Sequence, residues 1–130
     1  MDPAAIAERA LCDLVDALRA RDLERVVDAF EPDGVLFGSE SGERAVGSAE
    51  LRSLLASILA RPWTVGWEWE ARGVVAGRDN DVAWFVAPCV ARLVSDDGER
   101  RLPYRLSGVL RRSGDGGWRF ALFNGAEPAD

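Results

Sequence analysis

Histidine is missing from this chain of 130 residues. Histidine is the commonest general base near neutral pH and the commonest ligand of metal ions, and serine–histidine and cysteine–histidine catalytic arrangements depend on it. A zinc or iron site would need cysteines and carboxylates alone, and no cluster of such residues is visible in the sequence. We predict that the protein binds no metal and uses no cofactor.

Cysteines are scarce as well. Cys12 and Cys89 are too few to make a disulfide framework in a chain of this size. Cys12 falls beside the apolar stripe of a predicted helix and Cys89 lies within a predicted strand, so we interpret both as small packed residues. A reducing, cytoplasmic setting fits this usage, and the N-terminus lacks the basic region of a signal peptide.

Basic blocks and long apolar runs are also lacking. The net charge is −6, which argues against nucleic acid and anionic membrane surfaces as partners. The longest apolar run, residues 82–91, contains Pro88 and is too short to span a bilayer. Length and a hydrophobic content of 48% are typical of one globule, so we predict a single domain over residues 1–130.

The order of the predicted elements favours an α+β fold. Asp2, Asp22 and Ser48 are suitable N-caps for three helices, and a strand over residues 34–39 and a minor strand over residues 44–46 precede the third helix. Four long strands follow, separated by polar turns. The sequence thus predicts a curved antiparallel sheet of four long strands plus short strands, with three N-terminal helices on one face.

Residues 63–93 are the central hairpin of this prediction. Alternation over residues 63–75 gives Trp63, Trp67 and Trp69 a common face, and three tryptophans so close together need a cover or a ligand. We place turns at residues 79–80, 97–98 and 114–115, which sets the register of the four strands. The face assigned to the helices then carries the predicted ligand-binding residues Trp63, Trp67, Trp69, Trp84, Arg105, Ser107 and Asn124.

The polar residues of that face admit two interpretations. In one, Arg105 makes a structural ion pair with Glu40, Glu43 or a helix carboxylate, and Asn124 holds a loop. In the other, they are the few convergent polar groups of a ligand pocket. Tyr104 faces outward on this register, but a bulge at Pro88 would reverse the faces beyond it and bring the phenol inside.

The residues predicted on the sheet face that points away from the helices indicate a homodimer. Its residues include Phe85, Cys89, Tyr104, Leu106 and Phe123, and its centre holds no charge. Monomers rarely expose a continuous apolar patch of this kind, and a two-fold axis would let it cover its own copy.

Several segments together resemble the nuclear transport factor 2-like superfamily, in its SnoaL-like branch. They are residues 33–40 after two helices, the helix opened by Gly47 and Ser48, residues 81–84, residues 105–112 and residues 115–120, in this order. The resemblance covers roughly residues 5–128. It implies a cone of curved sheet and three helices (a cystatin-like α+β roll), an apolar pocket at the open end, and homodimers.

The family includes ketosteroid isomerases, dehydratases and cyclases, but the catalytic positions differ here. Many relatives end the last strand with a histidine, where this chain has Asn124, and ketosteroid isomerases carry an aspartate base near the position of Gly38. The first hypothesis is therefore a dimeric domain that binds an apolar small molecule. The second is an isomerase, cyclase or dehydratase for an apolar carbonyl compound, with Glu40 as base and Tyr104 among the oxyanion donors. The third is a structural dimerisation module with a filled cone.

Overall fold

The computed structural model describes residues 2–129 and contains three α-helices and seven strands. The helices are α1 (Pro3–Arg19), α2 (Leu23–Asp28) and α3 (Ser48–Leu59). The strands are β1 (Phe30–Phe37), β2 (Arg44–Val46), β3 (Thr64–Glu68), β4 (Val75–Asp79), β5 (Val82–Ser95), β6 (Gly98–Arg112) and β7 (Trp118–Ala126).

The strands form one curved, unclosed sheet in the order β2-β1-β7-β6-β5-β3, with β4 also paired to β5. The helices pack on one face of it, so the predicted α+β architecture is confirmed. The sheet is mixed rather than wholly antiparallel, because β1 runs parallel to β7. Among residues 2–129, no helix combines the length and apolar character needed to cross a membrane.

The helices begin where the predicted caps lie, with one difference. The side chains of Asp2 and Asp22 accept hydrogen bonds from backbone N–H groups in the first turns of α1 and α2. At α3 the cap is Gly47, with φ of +86°, and Ser48 is the first helical residue. A glycine suits this position because a positive φ costs it little.

The predicted faces are reversed on the strands from β4 to β7. Phe85, Leu106 and Phe123 were expected outside but are at most 5% exposed in the core, whereas Trp84 is 47% exposed on the outer face. Cys89 also lies on the inner side and packs against the core. The error arose from giving tryptophan priority over charge. Trp84 needs no helix cover, because its indole lies against Gly77 of the neighbouring strand.

The hairpin also breaks where the sequence suggested an unbroken run. A turn of 3₁₀-helix, Ala71–Gly73, separates β3 from β4. Trp67 pairs with Ala91 on the inner side, while Val75 pairs with Val86 on the outer side. The predicted common face therefore ends at β3, and Trp63 and Trp67 keep their inner placement.

All three turns differ from the predicted positions. Asp79 pairs with Val82, so residues 80–81 form the β4–β5 turn. Ser95 pairs with Gly98, so residues 96–97 form the β5–β6 turn, and Arg112 pairs with Trp118 across a longer loop. A bulge between Val109 and Leu110 in the β6–β7 ladder lets both Phe120 and Phe123 reach the core.

Candidate functional site

A cavity of about 600 Å³ lies between the inner face of the sheet and the helices, open at one end. Apolar side chains make most of its wall: Leu14, Leu18, Phe30, Leu36, Leu55, Ile58, Trp63, Val65, Trp67, Leu93, Leu102 and Phe123. The Trp67 ring lies 5.7 Å from that of Phe123. Volume and lining are typical of a site for a drug-sized apolar ligand.

Polar groups line the cavity in two places. One is the region of the β5–β6 turn, with Ser95, Asp97, Glu99 and Arg100, and the other lies near the ends of β1 and β7. Ser39, Glu40 and Glu43 belong to the loop between β1 and β2, Tyr104 to β6, and Glu127 follows β7. The aromatic wall and this group of five, called the polar end below, are the two parts of the candidate site.

Tyr104 lies on the cavity side of β6, opposite the position predicted for it. Its ring covers Gly125 so closely that a Cβ there would come within 2.6 Å of the phenol oxygen, so glycine leaves the room that the ring occupies. Burial raises the pKa of Tyr104 above its ordinary value of 10, Ser39 lowers it by hydrogen bonding, and the charges of Glu43 and Glu127 raise it further. At neutral pH the phenol is protonated and can donate a hydrogen bond.

Glu43 approaches the same region from the loop. Its side chain is 15% exposed and lies over Gly38, where a Cβ would meet the carboxylate at 2.8 Å. One carboxylate oxygen accepts the backbone N–H of Glu40 at 3.0 Å. The other lies 3.4 Å from the guanidinium of Arg61, a long contact that leaves this oxygen able to accept a further hydrogen bond.

The two glycines bring the phenol and the carboxylate together. Phe37 pairs with Asn124 in the parallel β1–β7 ladder, so Gly38 and Gly125 are the next residues along the two neighbouring strands. Neighbouring strands lie about 4.8 Å apart. Since Glu43 covers one glycine and Tyr104 the other, their polar groups face the same corner of the cavity.

Arg21 fixes the corner between α3 and β3 that carries Arg61 and Trp63. Its guanidinium donates to the carbonyl oxygens of Leu59 and Arg61 and to the Thr64 hydroxyl. The Arg61 guanidinium lies 5.8 Å from the centre of the Trp63 ring. The hydrogen bonds of Arg21 thus position one wall and one cation of the cavity.

The predicted site residues divide between the two faces. Trp63 and Trp67 line the cavity, as does Glu40, whose side chain is exposed. Trp69 packs against the core and its indole N–H donates to Glu8 at 3.2 Å. Four residues predicted for the pocket lie on the outer face instead: Trp84, Arg105, Ser107 and Asn124.

These four residues lie outside for one reason: the alternate residues of the same strands, such as Phe85, Leu106 and Phe123, face the helices. Ser107 pairs with Val86 and with Asn124 in the two ladders, and all of them point away from the helices together with Trp84. Asn124 donates to Ser107 at 3.5 Å, across the outer surface. Arg105 is exposed there, so the predicted ion pair with Glu40 or Glu43 is not made.

Arg61 and Glu127 were not predicted as site residues, and Glu43 was considered only as a partner for Arg105. The paired glycines are the signal that was available, since Gly38 and Gly125 follow strands and make room for large side chains. Cys89 pairs with Tyr104, and burial raises the pKa of its thiol to about 11, which makes it a poor nucleophile. Within residues 2–129, no three carboxylates or thiols come together in a group that could hold a metal ion.

The profile of the SnoaL-like domain matches residues 7–123. The chain belongs to the SnoaL-like domain family. Several solved structures share the fold. A ketosteroid isomerase-like protein from Erwinia carotovora is 22% identical, with a TM-score of 0.70 and coverage of 97% of this chain and 96% of that one.

Two other solved structures resemble this SnoaL-like domain. A nuclear transport factor 2-like protein of unknown function from Pseudomonas putida is 19% identical, with a TM-score of 0.78 and coverage of 100% and 91% of the two chains. A protein from Streptomyces avermitilis, provisionally named a dehydratase of the same superfamily, is 16% identical, with a TM-score of 0.80 and coverage of 98% and 96%. These likenesses establish the fold alone, and no curated protein matches the sequence.

Proposed function

We propose that this SnoaL-like domain binds an apolar small molecule in its cone. The observation that carries the proposal is the open cavity of about 600 Å³ with Trp63 and Trp67 in its wall. A cone filled by its own side chains, as a purely structural module requires, would leave no such space. The bound molecule would bury its apolar body against the aromatic wall and turn one polar group towards Tyr104.

Tryptophan fluorescence tests this proposal with neutral alcohols of increasing size, from cyclohexylmethanol through 1-adamantylmethanol to a steroid alcohol. We expect saturable changes in emission whose affinity rises with apolar area until the cavity is filled. Trp67→Phe should remove most of the signal, and the matched Trp84→Phe change on the outer face should keep it. Failure of every alcohol to bind, or loss of the signal in Trp84→Phe alone, would contradict the proposal.

A second candidate function is proton transfer at a carbonyl compound, as in an isomerase, cyclase or dehydratase. It is favoured by the protonated phenol of Tyr104 beside the carboxylate of Glu43. The carboxylate would take a proton from the carbon next to the carbonyl while the phenol donates a hydrogen bond to the developing enolate oxygen, and the proton would return to carbon. The names of the Erwinia and Streptomyces relatives are compatible with this chemistry.

Exchange of deuterium next to the carbonyl of cyclic ketones measures this activity. Glu43→Gln and Tyr104→Phe should each reduce the rate at least tenfold. Glu40→Gln is the matched control, since its exposed side chain belongs to the same loop and was the base suggested by the sequence. If the rate depends on Glu40 and not on Glu43, Glu40 is the base. If deuterium exchange is no faster than in buffer alone, the enzymatic hypothesis is rejected.

We also propose that two copies associate through the outer face of the sheet. One row of paired residues crosses this face in the order Val46, Val35, Leu122, Val109 and Trp84. Val46, Leu122 and Trp84 are 42%, 36% and 47% exposed. The row takes the place of the five residues first predicted for this interface, which lie on the inner side. Light scattering should give a dimer that Leu122→Arg dissociates, and a monomeric parent at micromolar concentration would contradict it.

A further inference from the structure

Negative charge exceeds positive charge around Tyr104 at the polar end of the cavity, because two carboxylates lie beside the phenol. Glu43 lies over Gly38 on one side of the phenol. On the other side Glu127 follows Ala126, which pairs with Arg105, so the next position along the ladder places Glu127 beside Tyr104. Both carboxylates belong to the cavity lining.

The two arginines that line the cavity do not balance these carboxylates at Tyr104. Arg61 contacts Glu43 at 3.4 Å and also lies against the Trp63 ring. Arg100 lines the rim but precedes Tyr104 by four positions on β6, a separation of about 13 Å along a strand. The phenol reflects this imbalance, because the charges that shift its pKa are those of Glu43 and Glu127 and both raise it.

The side chains of Glu43, Glu127 and Tyr104 all favour a ligand whose polar group donates hydrogen bonds and carries a positive charge. The carboxylates of Glu43 and Glu127 accept hydrogen bonds and attract a positive charge, and the Tyr104 oxygen can accept a hydrogen bond as well as donate one. An anionic head group would meet two like charges there. Aromatic rings in the wall attract cations through their π faces, whereas they offer no such attraction to an anion.

We propose that the preferred ligand is an apolar amine in its protonated form, with the ammonium group between Tyr104, Glu43 and Glu127 and the apolar body against Trp63 and Trp67. This inference rests on the proposed binding function and adds the charge of the ligand. The cavity thereby discriminates against carboxylic acids of the same size and shape.

Three probes with one apolar body and different head groups test the inference: 1-adamantylmethylamine, 1-adamantylmethanol and 1-adamantanecarboxylic acid. Their dissociation constants are measured at pH 7 through tryptophan emission of the full chain. We expect the amine to bind at least tenfold more tightly than the acid, with the alcohol between them. The difference should shrink as salt is raised, because screening weakens the interaction of charges at a rim open to solvent.

Single changes identify the groups responsible. Glu127→Gln should weaken binding of the amine three- to tenfold and leave the alcohol within twofold, and Glu43→Gln should do the same. Asp13→Asn is the matched control, because Asp13 is exposed on α1 and does not line the cavity. Glu127 is exposed and follows the last strand, so its substitution tests the inference even if Glu43→Gln disturbs the loop.

The outcomes separate the two proposals. If the acid binds as tightly as the amine, or if Glu127→Gln weakens all three probes equally, the charge preference is refuted and the apolar binding function stands. If none of the three probes binds, the binding function is refuted together with the inference built on it.

Discussion

Replacing Leu106 by alanine tests the orientation of the sheet, on which every statement about the cavity depends. Leu106 on β6 is 0% exposed, whereas Leu122 on the adjacent β7 is 36% exposed on the other face. Leu→Ala changes at fully buried sites cost about 2–5 kcal/mol, because apolar contacts are lost and a void remains. We expect about 3 kcal/mol for Leu106→Ala and less than about 1 kcal/mol for Leu122→Ala, whose side chain already meets water.

Urea unfolding followed by far-ultraviolet circular dichroism measures both changes. With a slope of about 2 kcal/mol per molar urea, Leu106→Ala should lower the midpoint by about 1.5 M and Leu122→Ala by less than about 0.5 M. Each protein is measured at two concentrations, since the stability of an associated state depends on protomer concentration. Equal losses, or a larger loss for Leu122→Ala that does not depend on concentration, would show that the faces have been assigned wrongly.

Three further measurements address local features. Gly108→Ala should cost more than about 2 kcal/mol, because its Cβ would lie 2.2 Å from a backbone oxygen of the adjacent strand, whereas Gly114→Ala, with open space around it, should change the urea midpoint little. The pKa of Asp115 is lowered to about 2, first by the Ser113 hydroxyl and then by the Gly117 N–H and Arg119. Its contribution to stability is therefore complete above about pH 4 and lost as the pH falls towards 2, and Asp115→Asn should flatten this part of the urea-midpoint profile. Tyr104 is the one tyrosine in the sequence, so ultraviolet titration should give a single phenol pKa above 10 that Glu127→Gln lowers, provided circular dichroism shows the fold intact; a pKa of 10 or below would contradict the described environment.

The helices and the long strands were predictable from local signals. Asp2 and Asp22 cap helices as expected, and β5 and β6 form an antiparallel hairpin near the predicted turn. The prediction of which residues of β5 and β6 share a face is also right, because Trp84 lies on the same face as Val109 and Ser107. The parallel pairing of β1 with β7 was not predicted, since it joins residues about ninety positions apart and leaves no local pattern.

The direction of the two faces was the main error, and the charged residues held the missing information. Glu68, Arg92 and Arg101 lie on the outer surface at the end of the hairpin, where Arg101 contacts Glu68 at 2.6 Å and Arg92 lies 3.9 Å from it. Such a network needs water on its side of the sheet. Weighting these charges above Trp84 would have placed Phe85 and Leu106 in the core.

The polar end of the cavity could not be derived from strand register. Glu43 reaches the cavity through the conformation of a loop with a positive φ at Gly42, and Arg61 through the corner held by Arg21. Alternation along a strand places side chains on a face, but it says nothing about residues that enter a site from a loop. Trp63 and Trp67 were placed inside because tryptophans that share one face of a strand need a cover or a ligand.

The apolar wall of the cavity is built by helices and strands, whereas most of its polar end is built by a loop and the segment after β7. This difference bears on how the sequence of such a domain can change during evolution. Four of the five polar-end residues lie outside regular elements: Ser39, Glu40 and Glu43 in a loop and Glu127 after the last strand. Exchanging them alters no ladder hydrogen bond and removes no buried apolar contact. For the binding function that we propose, selection can therefore change the ligand preference by a few substitutions while the fold keeps its stability, and this separation of folding from recognition suits one scaffold to many ligands.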